Sequence, residues 1–253
     1  MALVLNEEHR LLQDSAREFL GANATVCALR KLRDERDTLG YSPELWQQMA
    51  ELGWASIILP EAYGGLDFGF TGLGVVMEET GRTLTASPLF ASAVIGASVI
   101  LLGGDEQQKN TLLPEIAAGK LTLALALEES HHHRPCHIST TAVAKDGRYV
   151  ISGSKTFVLD GHSADQLLVV ARTGGEQHSS TGLSLFLVNR DASGLEIQRT
   201  IMVDSRNAAN VSFDCVTVEE SARVGELGQA WQVLEPALDR ARVAIAAEMM
   251  GLS

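Results

Sequence analysis

At 253 residues the chain is long enough for one large core or two modest ones, and a content of 45% hydrophobic and 21% charged residues is ordinary for a globular protein. Its formal charge of −12 creates an acidic field that repels polyanions, so neither nucleic acid nor an anionic membrane is expected as a partner. Cys27, Cys136 and Cys215 lack paired spacing and no apolar leader precedes a small-residue cleavage site, so a reducing, cytoplasmic setting is expected.

From Asn6 to about Lys120 the pattern predicts an all-α region. Leu11, Leu12, Ala16, Phe19 and Leu20 recur near a 3.6-residue period. The densest basic cluster, Arg30, Lys31 and Arg33, is followed at once by Asp34 and Glu35 and reads as a solvated helix face. Ser42-Pro43-Glu44 reads as a cap, a first-turn proline and an acidic first turn. Gly64-Gly65 breaks the pattern. The apolar window from Leu89 to Leu102 is too short to span a bilayer, which takes about 20 apolar residues, and reads as a buried helix. Gly103-Gly104 ends it, and Asp105-Glu106 favour a new helix start through the dipole.

Near Leu121 the texture changes. Strands are expected at Thr141 to Ala144, Tyr149 to Ser152, Lys155 to Leu159, Leu167 to Ala171, Leu183 to Val188 and Val211 to Phe213, with a tight hairpin at Asp146-Gly147, where both residues tolerate positive φ. They predict a β-barrel or sandwich. Thr173 to Thr181 reads as a mobile polar loop. After Gly225 a helix returns, with Trp231, Leu234, Leu238, Ile245 and Met249 along one apolar stripe and a kink or an unpaired carbonyl expected at Pro236.

His131, His132, His133, Cys136 and His137 invite a metal reading, because imidazole and thiolate suit zinc. Adjacent histidines project in different directions and Pro135 stiffens the segment, so a solvent-facing or entrance-lining loop is expected instead, with no metal. His162 and His178 read as ordinary loop residues.

PEAYGGLDFGFTGLGVVMEETGR (Pro60 to Arg82), GDEQQKNTLLPEIAAGKLTLALALEE (Gly104 to Glu129), DGRYVISGSKTFVLDG (Asp146 to Gly161) and LDRARVAIAAEMMG (Leu238 to Gly251) resemble collinear blocks of the acyl-CoA dehydrogenase family. The resemblance covers nearly the whole chain. It implies an α+β fold: an N-terminal helical domain over residues 1–120, a middle β-barrel or sandwich domain over 121–225, and over 226–253 the first helix of a C-terminal helical domain. That helix is expected to have nothing of its own to pack against. The implied chemistry is removal of two hydrogens across Cα–Cβ of an acyl-CoA thioester, with FAD taking the hydride, as in fatty-acid β-oxidation. Homo- or hetero-oligomers with another chain of the family are implied as well.

Carried over residue by residue, the resemblance gives an unusual site. The family's threonine-glutamate-proline run, whose threonine contacts the pyrimidine edge of the flavin, aligns with Leu127-Glu128-Glu129. Its glycine-serine-aspartate, whose serine approaches the pyrophosphate, aligns with His132-His133-Arg134, where imidazole and guanidinium can still attract phosphate. Its tryptophan-isoleucine-threonine turn, with the aromatic beside the ring and the hydroxyl at N5, aligns with Phe157-Val158-Leu159. The cofactor-contacting candidates are therefore Leu127, Glu128, His133, Phe157, Val158 and Leu159, with two hydroxyls replaced by hydrocarbon. An unmet buried partner costs about 1–3 kcal/mol and about 1.4 kcal/mol is a decade in Kd, so flavin affinity is expected to fall more than tenfold. The alternative is that backbone N–H groups do most of the holding.

In most of the family the carboxylate base lies on a later helix; in the isovaleryl branch it occupies the position of Ala241. Helical geometry points Glu235 and Asp239 elsewhere, so no catalytic base is assigned. Arg242 is a candidate for lining the acyl-CoA site, with a salt bridge on its own helix as the other reading. Three functions stay open: a subunit with a degenerate flavin site that works beside a competent chain, an active FAD-dependent dehydrogenase seen as a fragment, and a non-catalytic acyl-CoA-binding or scaffold protein. The acyl group is not legible.

Overall fold

A computed structural model describes residues 5–253. Helix α1 (Glu7–Asn23) is capped by the Asn6 side chain, which accepts from the His9 amide, and buries Ala16 and Leu20 while leaving Leu11 outside. Helix α2 (Val26–Asp34) presents its basic residues to solvent and buries none of its side chains fully. Helix α3 (Pro43–Glu51) starts as expected, with Ser42 as cap and Pro43 in the first turn. Helix α4 (Gly69–Thr83) precedes the apolar window, which is buried but not one regular helix: residues 89–96 wind in wide π-type turns that pass into α5 (Ala97–Gly103). Helix α6 (Glu106–Ala117) opens on a reciprocal capping box between Asp105 and Gln108.

Eight strands follow: β1 (Leu123–Ala126), β2 (Thr141–Lys145), β3 (Arg148–Leu159), β4 (Gln166–Arg172), β5 (Leu183–Asn189), β6 (Leu195–Ile201), β7 (Asn207–Glu219) and β8 (Arg223–Val224). They form one sheet in the order β6-β7-β3-β2-β4-β5-β8, with β1 parallel to β4. Among the described residues the path ends at β6 and β8 rather than closing into a barrel. The sheet instead bends over one core in which Tyr149, Ile151, Leu167, Phe186 and Phe213 meet. Its other face packs Leu168, Val170 and Leu185 against Ile100, Leu113 and Leu234 of the helices. Asp146 (φ 52°) and Gly147 (φ 76°) close the β2–β3 hairpin, as the sequence predicts.

The two strands expected at 149–152 and 155–159 are one, β3, which slips register against β7 between Ile151 and Gly153 and again between Lys155 and Val158. The second slip coincides with Phe157 at φ 55°, a bulge that turns its ring outward. β7 is far longer than the three residues expected, because its polar outward positions hide the alternation of Ala209, Val211, Phe213, Val216 and Val218 on the inside.

Helix α7 (Trp231–Leu252) runs through Pro236 as one element. Two expectations fail there. The helix is not without a packing partner, since it lies along α4 so closely that a Cβ on Gly81 would meet the Glu248 carbonyl, and one on Gly251 the Glu78 carbonyl. The predicted stripe holds only in the first half, where Trp231, Leu234 and Leu238 pack into the core; in the second half Ala241, Ala244 and Glu248 face inward, whereas Ile245 and Met249 are exposed. Small residues win the inner face because they let the two backbones approach. No described helix is long and apolar enough to cross a membrane.

Candidate functional site

The predicted flavin positions fall on two segments that run side by side: residues 127–140, between β1 and β2, and the second half of β3. The Thr156 amide donates to the Glu128 carbonyl (2.8 Å), and Thr140 Oγ1 donates to the Ser154 carbonyl (3.2 Å). Between them lies Lys155, whose side chain is wholly buried. Its Nζ donates to the Leu127 carbonyl at 3.0 Å and to Glu129 Oε1 at 2.7 Å. Burial pulls the Lys155 ammonium down to about 8 against the pull of Glu129. Burial pushes the Glu129 carboxyl up, but Lys155 and the bonds it accepts from Ser139 N (2.6 Å) and Thr140 N (3.0 Å) outweigh that and hold it below the usual carboxylate range. This pair escaped the sequence reading. The signal was available in the β3 alternation, in which Tyr149, Ile151 and Lys155 share the inward parity.

The preceding carboxylate, Glu128, closes the near part of the same loop. Glu128 Oε1 receives His133 Nδ1 at 2.6 Å and Oε2 receives the Arg134 amide at 3.1 Å. His133 and Glu128 are thus brought together, though as partners of each other. His137 stacks on His178 (ring centroids 4.4 Å apart), tying this loop to 173–182. The loop from Thr173 to Thr181, expected to be mobile, is bound round the Arg172 guanidinium. That group donates to the carbonyls of Cys136, Ile138, Gly174, Gln177, Ser179 and Thr181 at 3.0–3.3 Å. Burial raises the Cys136 thiol above its usual value, which disfavours a thiolate ligand. Among the described residues no group of three or more His, Cys, Asp or Glu is disposed to hold a metal ion.

Leu127 is 5% exposed and packs in the core with Leu59, Leu113 and Ile138. Val158 is likewise a core residue of the β domain. Phe157 and Leu159 line a cavity of about 280 Å³ together with Phe90, Ile245, Met249 and Leu252. The only α7 carboxylate on that cavity is Glu248, which is ion-paired with Arg206. Ala241 is buried against the helices, Glu235 is exposed, and Arg242 pairs with Asp239 at 2.5 Å on the open face of α7. His162, read as an ordinary loop residue, is half-buried. Its ring approaches the Leu39 carbonyl at 3.2 Å, and burial, helped by Arg199, pulls it down to about 4.

The models for the acyl-CoA dehydrogenase N-terminal domain and middle domain match residues 6–120 and 125–216. The chain belongs to the acyl-CoA dehydrogenase family. It is 30% identical to acyl-CoA dehydrogenase FadE12 of Mycobacterium tuberculosis, over 99% of this chain and 65% of that one. It is 27% identical to an acyl-CoA dehydrogenase of Bacillus subtilis, over 98% and 66%. The solved "Tcur3481-Tcur3483 steroid ACAD G363A variant" superposes with a TM-score of 0.82 at 33% identity, over 97% of this chain and 63% of that one. The chain therefore spans about two thirds of the length of the relatives it matches.

The family is FAD-dependent, and the side chains at the corresponding positions here do not fit a flavin's polar edge. Leu127 and Leu159 offer no donor, and the His133 Nδ1 and Arg134 N–H that could meet a phosphate already bind Glu128. Phe157 keeps an aromatic ring on the cavity that Leu159 also lines.

Proposed function

We propose that this chain is a subunit of an acyl-CoA dehydrogenase-type assembly in which α,β-dehydrogenation of an acyl-CoA thioester takes place on a flavin held chiefly by another chain of the family. The observation that carries the reading is Leu127: a hydrocarbon side chain in the hydrophobic core at the position where the resemblance calls for a flavin-facing hydroxyl. Leu159 repeats the substitution on the second segment. The outer face of α7 supports a partner. Ile245, Met249 and Leu252 are exposed and border the cavity that Phe157 lines, Met250 is exposed beside them, and apolar surface of this kind marks interaction sites. The solved relative named for a pair, Tcur3481-Tcur3483, is consistent with work shared between two chains.

The test is purification of the chain alone and together with a flavin-retaining chain of the family. A colourless protein alone and a yellow, active complex are expected. A second reading, an FAD enzyme that holds its own cofactor with the help of further sequence, draws on the match to only two thirds of each relative. Stoichiometric flavin on this chain alone would establish that reading and refute the first.

A further inference from the structure

The basic cluster of α2 reads in the sequence as a solvated helix face, but the fold brings two distant arginines to it. A small recess between α2, the turn that follows it and the β6–β7 connection is lined by Arg33, Arg36, Arg199 and Arg206, with Thr200 and Ser205 beside them. Among the described residues no Asp or Glu lines it, on a chain that carries 32 acidic residues against 20 basic ones. A cation in the last turn of a helix complements the dipole, which accounts for Arg33 but not for Arg36, Arg199 and Arg206, all from outside the helix. Carboxylate partners among the described residues are few. Arg33 Nε donates to Asp34 at 2.8 Å, and Arg206 pairs with Glu248 on its α7 side. Arg199 donates to the Asp37 and Thr38 carbonyls and to the Asn207 side-chain oxygen. The exposed Arg36 side chain bonds to no other described residue. Like charges gathered at one recess repel each other, and a bound anion offsets that repulsion.

We propose that this recess is a binding site for one phosphate-type anion, either free phosphate or the phosphoryl group of a small organic phosphate. A guanidinium matches such a group in charge and in geometry, because its parallel N–H bonds take two oxygens at once. Size sets the ligand class. About 50 Å³ holds a few water-sized atoms, so a single four-oxygen anion fits and a nucleotide does not. Leu29, Leu32 and Met202 supply apolar wall, and the low dielectric beside them strengthens each charged bond. Arg36 (φ 51°) and Ser205 (φ 64°), both on the recess, hold left-handed backbone without being glycine, a local strain of the kind that gathers where ligands are clamped. The anion also has a structural consequence. Helix α2 buries none of its side chains fully, so an anion shared by Arg33, Arg36 and Arg199 ties it to the sheet. The recess uses no residue of 127–140 or of β3, and the proposal holds whether or not the chain works as a subunit beside a flavin-holding partner.

The experiment is calorimetric titration of the full chain with inorganic phosphate, in a phosphate-free buffer whose ionic strength is fixed with chloride. Binding should saturate at one anion per chain. Arg36→Ala, which removes an exposed side chain without partners, should weaken it at least tenfold, and Arg33→Ala combined with Arg36→Ala should abolish it. Arg30→Ala takes the same charge from the same helix but outside the recess, and should change affinity less than twofold. Glycerol 3-phosphate in a parallel titration separates the two sources: tighter binding than phosphate assigns an organic phosphate, weaker binding the free ion. No saturable heat, or an equal loss with Arg30→Ala and Arg36→Ala, would overturn the proposal. So would binding of a glutamate-rich peptide in place of phosphate, which would give the recess to an acidic partner chain. Hydrogen exchange on the native chain does not depend on the variants folding. Added phosphate should slow exchange across 26–36 and 201–206, and unchanged exchange there at saturating phosphate would also overturn it.

Discussion

Replacing Lys155 with methionine tests the central feature of the site, the buried ion pair that joins its two segments. Methionine keeps most of the length and apolar volume of the lysine stem, so little cavity is created. What it removes is the cation. Glu129 keeps the amides of Ser139 and Thr140 but loses its counter-charge, and the Leu127 carbonyl loses its donor. Deleting one partner of a buried pair costs about 3–5 kcal/mol, a large share of the 5–15 kcal/mol that holds a typical domain folded. That Lys155 is pulled down to about 8 means its desolvation outweighs the attraction of Glu129. Buried pairs contribute little net stability in general because desolvation offsets their attraction, so removing both charges should be much cheaper than removing one. Lys155→Met is accordingly expected to lose at least about 3 kcal/mol in urea unfolding at pH 7, and Lys155→Met combined with Glu129→Gln less than half of that. A single-variant loss under about 1 kcal/mol, or single-variant losses that simply add in the double, would refute the account.

Arg172→Ala leaves six loop carbonyls without their common donor, and a loss of about 3 kcal/mol or more is expected, with faster hydrogen exchange across 136–138 and 173–182. Arg172→Lys should not rescue it, because a compact ammonium does not span the positions a planar guanidinium reaches. Asp160 is pushed up to about 7 by burial against the pull of Asn207 and Arg206. Its folded value is raised, so the stability it contributes is complete below its unfolded value of about 3.9 and is lost as pH climbs through 7. Asp160→Asn should gain on the native chain by about 2–4 kcal/mol between pH 4.5 and 8 in chemical unfolding, and a difference that stays flat with pH would refute the assignment. His162, two residues on and pulled down to about 4, has the opposite slope, since its contribution is complete above about 6.5 and lost as pH falls through 4. The native chain itself should therefore vary less across this window than either group alone would make it.

What the sequence discloses depends on how local the cause is. Asn6, Ser42-Pro43 and Asp105 mark helix starts because a cap is decided within four residues, and Asp146-Gly147 marks its turn for the same reason. β1, β6 and the two-residue β8 escaped notice. Leu123–Ala126 is four residues buried almost throughout, so it shows no alternation, and Leu195–Ile201 is an edge strand whose faces are both half wet. The site divides along the same line. Leu127, Phe157 and Leu159 are legible by position, whereas the role of Glu129 depends on Lys155, 26 residues away, and that of His162 on the Leu39 carbonyl, 123 residues away. Neither partner is suggested by a local pattern.

Helix α7 shows how far a periodic pattern can mislead when packing distance decides the face. An apolar stripe of large residues ordinarily turns inward, because burying each large side chain stabilises by about 1.5–3 kcal/mol. Here the helix turns Ala237, Ala241 and Ala244 inward, and the glycines at 81 and 251 bring the α4 and α7 backbones together where any larger residue would hold them apart. Close backbone approach gains dispersion contacts along both helices, and it fixes the rotation of α7. That rotation carries Glu248 inward, where Arg206 neutralises it, and carries Ile245, Met249 and Leu252 to the mouth of the cavity that also receives Phe157. The first half of the helix therefore packs Trp231, Leu234 and Leu238 into the core, and the second half turns alanines inward and bulky side chains to the edge of the candidate site.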